Sequence, residues 1–372
     1  MNRILLITPY APSNIGAAMK FTKKTIEQLS SFCFVDVIYF RAEEEPLFCP
    51  KNKKINVLKV LDVGKKDRLL SILQKPLLFP IFSVRYRRDL IRWLKKYTGQ
   101  VRYDLVFLDH SQTFIYGKIF PHTSKVLMSH DVIYQRVNRR FGRLMTYWCT
   151  ITERGMLHQP NSYIFSFSTK DQNLILNQYG LDSYVTNGLV DDLIYSTFPI
   201  KITSDFVFFG QWVRKDNTDG LEWFFDNVYP KIKKEYKFKI IGRGLPPMII
   251  DRIEKYENVE YLGFVDNPYQ IIANARALLS PLFSGAGVKF KVLDSMACGT
   301  PVIGNEISFE GIPGEYSDFM IMCNTIDDYV RSIENVNTNI DLRQSFQKKF
   351  LKKYVKSQLI EFIRYKIQTI CE

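Results

Sequence analysis

The chain is poor in the residues and patterns that mark several common functions. Only six cysteines and four histidines occur in 372 residues. Cys33, Cys49, Cys149, Cys298, Cys323 and Cys371 are scattered, and no two stand at metal-ligand spacing. They read as reduced, mostly buried thiols of a cytosolic protein, which excludes a disulfide framework and a zinc site. His110, His122, His130 and His158 show no metal pattern either. A dinucleotide-binding G-x-G-x-x-G is missing. The first loop offers a single Gly16, and Gly242-Arg243-Gly244 runs into Leu245-Pro246-Pro247. No G-x-x-x-x-G-K-[ST] or G-x-S-x-G is present, which argues against a P-loop NTPase and a hydrolase elbow. No helix-turn-helix, zinc or RNP signature supports nucleic-acid binding. Long apolar runs are absent as well. Nothing approaches the ~20 residues of a membrane-spanning helix, and Leu77 to Val84 is broken by Pro80. Ile4 to Ile7 is too short for the core of a secretory leader. Acidic residues are in deficit: 38 Asp and Glu stand against 51 Lys and Arg, a formal net charge of +13. That balance fits a phosphorylated substrate, an anionic membrane surface or nucleic acid, and bounds partners more than fold.

What is present is a large apolar inventory. Hydrophobic residues make up 46 %, and 28 Phe and 21 Tyr raise the aromatic share to 14 %. At about 150 residues per domain the length implies two or three domains. Near the N-terminus, R-I-L-L-I-T-P-Y reads as a buried strand. A loop carrying Gly16, a helix over Met19 to Ser30 and a strand over 34–40 follow, making one βαβ unit. Gly16 either admits a ligand closely or is an ordinary βα turn. Strands are expected at 103–110, 124–131 and 161–168, and a long helix over Ile133 to Gly155. The first two strands end in polar pairs that include His110 and His130, where open α/β sheets gather ligand groups. A histidine at a strand end is also a common structural residue, so position alone leaves His130 open. Residues 184–192 (Y-V-T-N-G-L-V-D-D) hold a strand and an Asn-Gly turn.

Residues 195–204 read as a linker, after which the β/α alternation restarts. Strands are expected at 205–212, 238–244, 259–265, 277–283 and 318–323, with helices between. Two separate alternating halves argue for two doubly wound domains. The tail from Asp341 is helical in pattern and rich in Lys.

Two stretches stand apart. Residues 65–102 carry eleven Lys and Arg against Asp67 and Asp89, interleaved with Leu, Phe, Trp and Tyr. Such a segment suits a helix lying on an anionic membrane surface, and equally a pair of domain helices with solvated basic faces. In residues 284–305, Gly285-Ala286-Gly287 precedes a helix from about Val288 to Cys298, closed by Gly299 and Pro301. A glycine turn opening a helix presents free N–H groups and the positive end of its dipole, an anion site, with Lys289 and Lys291 nearby. Gly287, Lys291, Asp294 and Cys298 share one face. That face is either a solvent-facing ion pair or the wall of a ligand cleft.

With both halves read, the chain resembles the GT-B glycosyltransferases, specifically the retaining group 1 type, family 4. The match is most specific over N-V-E-Y-L-G-F-V-D-N-P through G-A-G-V-K-F-K-V-L-D-S-M-A-C-G-T-P-V-I. The resemblance implies an α/β GT-B fold of two facing Rossmann-like doubly wound domains with an interdomain cleft. The expected layout is an acceptor-side domain over 1–194, a linker over 195–204, a nucleotide-sugar domain over 205–350, and a terminal helix over 351–372 packing back on the first domain. The implied reaction moves a sugar from a nucleoside-diphosphate sugar to a polysaccharide, lipid-linked oligosaccharide or glycolipid, with retention, without metal or other cofactor.

The resemblance also assigns residues. Asp294 stands where the family has a Glu on the ribose hydroxyls. Gly285, Gly287, Val288 and Lys289 meet the diphosphate or sugar, and Lys289 or Lys291 neutralises the leaving diphosphate. Val265 offers its backbone to the nucleobase, Gly16 meets the diphosphate from the first domain, and His130 contacts the transferred sugar. Lys215, with Arg243 as a substitute, stands for the basic residues that follow the family's linker strand. One position departs: Ala286 occupies the place of the family's first acid in Glu-x7-Glu. A degenerate partner subunit and a nucleotide-sugar 2-epimerase are the alternatives. The implied partners are a nucleotide sugar, a glycan or glycolipid acceptor and an anionic membrane surface through residues 65–102, with no nucleic acid. The implied place is the cytoplasm, or the inner face of the cell membrane.

Overall fold

A computed structural model describes residues 2–188, 190–233, 235–354 and 356–369. Leu189 of the Asn-Gly turn segment and Cys371 fall outside the described residues. The chain divides into two compact units, Met1–Leu189 with Lys356–Glu372, and Val190–Val355.

Unit 1 runs β1 (Arg3–Thr8), α1 (Ala17–Ser30), β2 (Phe34–Arg41), β3 (Ile55–Asp62), α2 (Lys65–Leu73), α3 (Pro80–Ser83), α4 (Arg88–Tyr97), β4 (Leu105–Asp109), β5 (Ser124–Met128), α5 (Ile133–Arg140), α6 (Arg143–Leu157), β6 (Ser162–Ser166), α7 (Thr169–Tyr179) and β7 (Ser183–Val185). Among the described residues its strands form one parallel sheet in the order β3-β2-β1-β4-β5-β6-β7. Helices on both faces leave the central strands buried on both sides, so their sequences are continuous apolar runs instead of alternating ones. Chain order reverses between β1 and β4, and the carboxyl ends of those two strands are where such a sheet opens to a ligand.

Three local differences from the sequence reading have physical causes. Residues 55–62, where the sequence reading names no element, are the edge strand β3; its exposed Asn56 and half-buried Lys59 mask the alternation. The stretch expected as one helix over 133–155 is two, because Phe141 and Gly142 adopt extended backbone between them. Residues 111–119, where the sequence reading likewise names no element, form a 3-10 turn that buries Phe114, Ile115 and Tyr116.

Unit 2 runs β8 (Asp205–Phe209), α8 (Lys215–Asn227), β9 (Lys237–Ile241), α9 (Pro247–Ile253), β10 (Val259–Gly263), α10 (Tyr269–Asn274), β11 (Ala277–Ser280), α11 (Phe290–Ala297), β12 (Val302–Gly304), β13 (Met320–Met322), α12 (Ile326–Asn335) and α13 (Ile340–Tyr354). Among the described residues its strands form a second parallel sheet, β10-β9-β8-β11-β12-β13, with the reversal between β8 and β11. Residues 195–204 pack on this unit: Thr203 N–H donates to Asn274 O at 2.8 Å, and Gln347 donates to Thr197 O at 2.7 Å. Arg343 of α13 is buried and donates to the carbonyls of Ala275, Arg276 and Asn337 at 2.7, 2.5 and 2.9 Å, tying α13 to the loop before β11.

The last helix, α14 (Gln358–Thr369), belongs to unit 1. Its Phe362 packs on Tyr163, Phe165 and Tyr184 at 4.9–5.2 Å between ring centroids. Gln358 accepts from Asn187 N–H at 3.0 Å. No helix among the described residues is long and apolar enough to cross a membrane.

Candidate functional site

In unit 2 the β11–α11 turn lies at the chain reversal. Gly285 and Gly287 have φ of 114° and 69°, values that side chains with a Cβ rarely adopt. Their turn delivers Lys289 as the N-cap of α11, which runs from Phe290 to Ala297, shorter at both ends than the sequence suggests. Val292, Leu293, Met296 and Ala297 bury the inner face of α11 in the unit's core, and Val288 packs against the same core. Lys291 and Asp294 stay half-buried on the other side, and Cys298 is fully buried.

The turn is tied to the first turn of α8, the helix after β8, across the chain reversal. Ser284 Oγ donates to Asp216, and Lys291 Nζ donates to Asn217 Oδ1 at 2.9 Å. Asn217 Nδ2 in turn donates to Gln211 O at 2.8 Å. Arg214 pairs with Asp216 at 3.3 Å. Burial, with the like charges of Arg214 and Lys289, pushes the Lys291 ammonium down to about 7, and Asp216 offsets part of this. Lys289 donates to Gly287 O at 2.5 Å and lies 3.5 Å from the buried Glu310 carboxylate. Three cations therefore gather at one helix start, a strongly anion-attracting arrangement.

Asp294 lies one turn further along α11. Burial, together with the charges of Asp294 and Asp191, pushes the Tyr269 hydroxyl well above its ordinary range. Tyr269 donates to Asp191 Oδ2 at 2.9 Å, so the hydroxyl that feels the Asp294 charge is already hydrogen-bonded to another carboxylate. After β9 and β10, Arg243 lies over the half-exposed ring of Phe264 at 4.1 Å. This flat cationic–aromatic pair adjoins Val265, which packs against the core. Lys215 is less central: at the start of α8 it pairs with Asp219 at 2.6 Å and is largely exposed.

In unit 1 the reversal is occupied by a buried carboxylate. Asp109, the last residue of β4, is fully buried. It accepts from Thr8 at the end of β1 at 3.0 Å and from Thr22 on α1 at 2.5 Å. Its other oxygen meets His130 Nε2 at 2.6 Å. Burial alone would raise this carboxyl, but His130 and Thr22 hold it below the ordinary carboxylate range. Phe21 and Phe167 pack edge-on against the His130 ring at 5.3 and 5.2 Å, fixing its plane. His110 lies 5.4 Å from His130, ring to ring, with φ of 67°. Its Nδ1 is buried without a partner among the described residues. Burial and His130 push it down to about 4, so it is neutral at pH 7. A bulky residue held at positive φ stores strain, which tends to collect at functional positions. Gly16 begins α1 in extended conformation, on the loop that follows β1.

Each sheet thus carries its nominated residues at its own carboxyl edge. Gly285, Gly287, Val288, Lys289, Lys291 and Asp294 share one turn and helix start, Arg243 and Val265 flank the next loops, and Gly16 and His130 lie in unit 1. Sequence reading missed Asp109, Thr22, Asn217, Asp216, Glu310 and Asp191. Asp109 had a signal, since it precedes His110 at a strand end. The others depend on contacts between distant segments.

Residues 203–339 match the family model of the Glycosyl transferases group 1. An uncharacterised 44.6 kDa protein in the cps region of Klebsiella pneumoniae is 26 % identical over 145 residues, 36 % of this chain and 37 % of that protein. The chain therefore aligns with little more than a third of this curated relative's length. WaaG, a glycosyltransferase involved in lipopolysaccharide biosynthesis, superposes with a TM-score of 0.67 at 12 % identity, covering 98 % of this chain and 99 % of WaaG. Anabaena HepE in complex with UDP superposes with a TM-score of 0.65 at 13 % identity, covering 100 % and 98 %. Two doubly wound parallel sheets and superposition on such structures over nearly the whole chain show a GT-B fold, and the unit that carries the glycine turn is the one that matches the Glycosyl transferases group 1 model.

Proposed function

We propose that the chain transfers a glycosyl group from a nucleoside-diphosphate sugar to a polysaccharide, lipid-linked oligosaccharide or glycolipid acceptor, with retention and without a metal ion. One observation carries the reading: a glycine turn at the unit 2 chain reversal opens α11 beside Lys289, Lys291 and Arg214. In transfer, negative charge grows on the leaving diphosphate. Helix-terminal N–H groups and fixed ammonium groups stabilise that charge without reorganising, which lowers the barrier. Asp294 takes the ribose hydroxyls, the Phe264–Arg243 pair and the Val265 backbone take the base, and Gly16 serves a phosphate oxygen. His130 serves a sugar hydroxyl. Nε2 is committed to Asp109, which leaves Nδ1 for the sugar. Retention needs no carboxylate nucleophile if the acceptor attacks on the leaving-group face and the departing phosphate takes its proton.

The test is release of nucleoside diphosphate from a panel of nucleotide sugars, with and without chelator, and assignment of the product's anomeric configuration. Release with an inverted product would refute retention, and loss of release on chelation would refute metal independence. A second reading is favoured by Ala286, which leaves the site without an acid at that turn. It describes a partner subunit that binds the donor without turning it over, and it predicts donor binding with no release of diphosphate under any acceptor.

A further inference from the structure

We propose, on the reading of His130 given above, that Glu153 is a positioning residue: its buried side chain reaches from α6, fixes the β5–α5 turn and so sets where the His130 ring stands. The start of α5 lacks the usual devices. Its N-cap is Val132, whose side chain offers no oxygen, and its first turn holds no acid. Eight residues are too few for a helix to form by itself, and of these only Ile133 and Val137 are buried. Another part of the chain must take the first backbone N–H groups.

Glu153 takes two of them. It is 1 % exposed. Its Oε1 accepts from Ile133 N–H and its Oε2 from Tyr134 N–H, each at 2.8 Å. The Tyr179 hydroxyl of α7 also donates to Oε2, at 2.6 Å, so three helices meet on one carboxylate. A negative group at a helix start also meets the positive end of the dipole.

The turn held in this way is short. Ser129 N–H donates to Phe165 O at 2.8 Å, which fastens one end to β6. Ile133 N–H on Glu153 fastens the other end, three residues beyond His130. Between them, Ser129 Oγ donates to Asp131 O at 3.0 Å and Val132 is fully buried. The same turn carries Asp131, which pairs with Arg136 of α5 at 3.5 Å and whose Oδ1 is buried without a partner among the described residues. Release of the Glu153 end would free His130 from Asp109 and Arg136 from Asp131 together.

The charge on Glu153 does not serve the fold at large. Burial pushes its carboxyl up to about 7, with the Asp131 charge adding, against the hydrogen bonds from Tyr179, Tyr134 and Ile133. Cys149, one turn earlier on α6, faces the same carboxylate, and burial with the Glu153 charge pushes its thiol up. Ionising Glu153 at neutral pH therefore lowers global stability, and its benefit is local. An amide cannot replace it. Glutamine has a single acceptor oxygen; turned to Tyr134 and Tyr179, it leaves its NH2 facing the Ile133 N–H, donor against donor. Glu153→Gln thus keeps the size of the side chain and releases the turn.

The test is Glu153→Gln in the full chain at pH 8. Hydrogen exchange over residues 129–136 should quicken at least about tenfold while unit 2 exchanges as in the parent and the thermal transition does not fall. The kcat for release of nucleoside diphosphate should drop by about tenfold to a hundredfold, with the donor KM and the thermal shift by nucleoside diphosphate kept. Combined with His130→Ala, the substitution should cost nothing further, because it acts through His130. Unchanged exchange, a kcat at the parent value, or additive losses in the double variant would overturn the proposal. So would a lowered thermal transition with kcat and KM damaged together, the mark of a merely structural residue. A parent that releases no diphosphate from any donor refutes the transfer reading instead, and the exchange result then decides by itself whether Glu153 holds the turn.

Discussion

If the start of α11 takes the donor diphosphate as proposed, Lys291 should make its binding proton-linked. Its ammonium is half-buried at the first turn of α11, bonded to Asn217, with Arg214 and Lys289 pressing its charge. In the unliganded chain it titrates at about 7. A diphosphate at the helix start brings negative charge to the same place and restores the ordinary lysine range. Above pH 7 the nucleotide must therefore be bound together with a proton. Affinity should fall about tenfold per pH unit above about pH 7, and flatten below it until the terminal phosphate itself titrates near about 6. Titration calorimetry at pH 8 in buffers of different protonation heat should report uptake of close to one proton. Lys291→Met should abolish the uptake and weaken binding at pH 7 by about tenfold or more. Lys291→Arg should retain binding and lose the pH slope, because guanidinium does not titrate in this range. The unliganded chain supplies a check of sign. The folded ammonium lies below its unfolded value of 10.5, so the unfolded chain binds more protons between about 7 and 10.5. The parent should accordingly gain stability relative to Lys291→Met as pH rises through that window. Zero proton uptake at pH 8 with a flat affinity profile would refute the reasoning.

Three further outcomes follow from buried polar groups. Asp109→Ala strands Thr8, Thr22 and His130 at the unit 1 chain reversal and should lower the transition of that unit by roughly 6–20 °C in calorimetry, from a loss of about 3–5 kcal/mol; a fall under about 2 °C would contradict the charged network. Because that carboxyl lies below its ordinary range when folded, its contribution should persist at neutral pH and vanish as pH falls through the folded value. Glu153 accepts from Ile133 N–H, Tyr134 N–H and the Tyr179 hydroxyl at 2.8, 2.8 and 2.6 Å, and burial pushes it up to about 7. The parent should lose about 3 kcal/mol between pH 4.5 and 7, and Glu153→Gln should not, as read from denaturant midpoints at each pH. Arg343→Met leaves three carbonyls, that of Ala275 buried, without their donor and should cost unit 2 about 2–4 kcal/mol; a near-neutral denaturation midpoint would show that those carbonyls find water.

The fold was legible because parallel strands buried on both faces announce themselves as unbroken apolar runs, and the glycine turn with its helix announces itself by backbone chemistry. Gly285 and Gly287 carry the positive φ values that their identity implies. What was illegible lies in contacts across sequence distance. Asn217, 74 residues before Lys291, holds its ammonium, and no local pattern links the two. Asp109 reaches Thr22 only because β1 and β4 are neighbours in the sheet. Amphipathicity likewise tells that α2 and α4 each have an apolar side without telling which side the core takes. Leu90 and Leu94 turn inward, whereas Leu69, Leu70 and Leu73 turn outward.

The central claim is that the α11 start in unit 2 holds a nucleoside diphosphate. Thermal-shift titration of the parent chain and of Asp294→Ala with a panel of nucleoside diphosphates and their sugars measures this most directly, since a ligand of the folded state raises its transition by mass action. At least one nucleotide should stabilise the parent with a saturating dose response, and Asp294→Ala should weaken that response by about tenfold or more. If no nucleotide shifts the parent, or if Asp294→Ala responds as the parent does, the assignment of this turn and helix to the donor is contradicted.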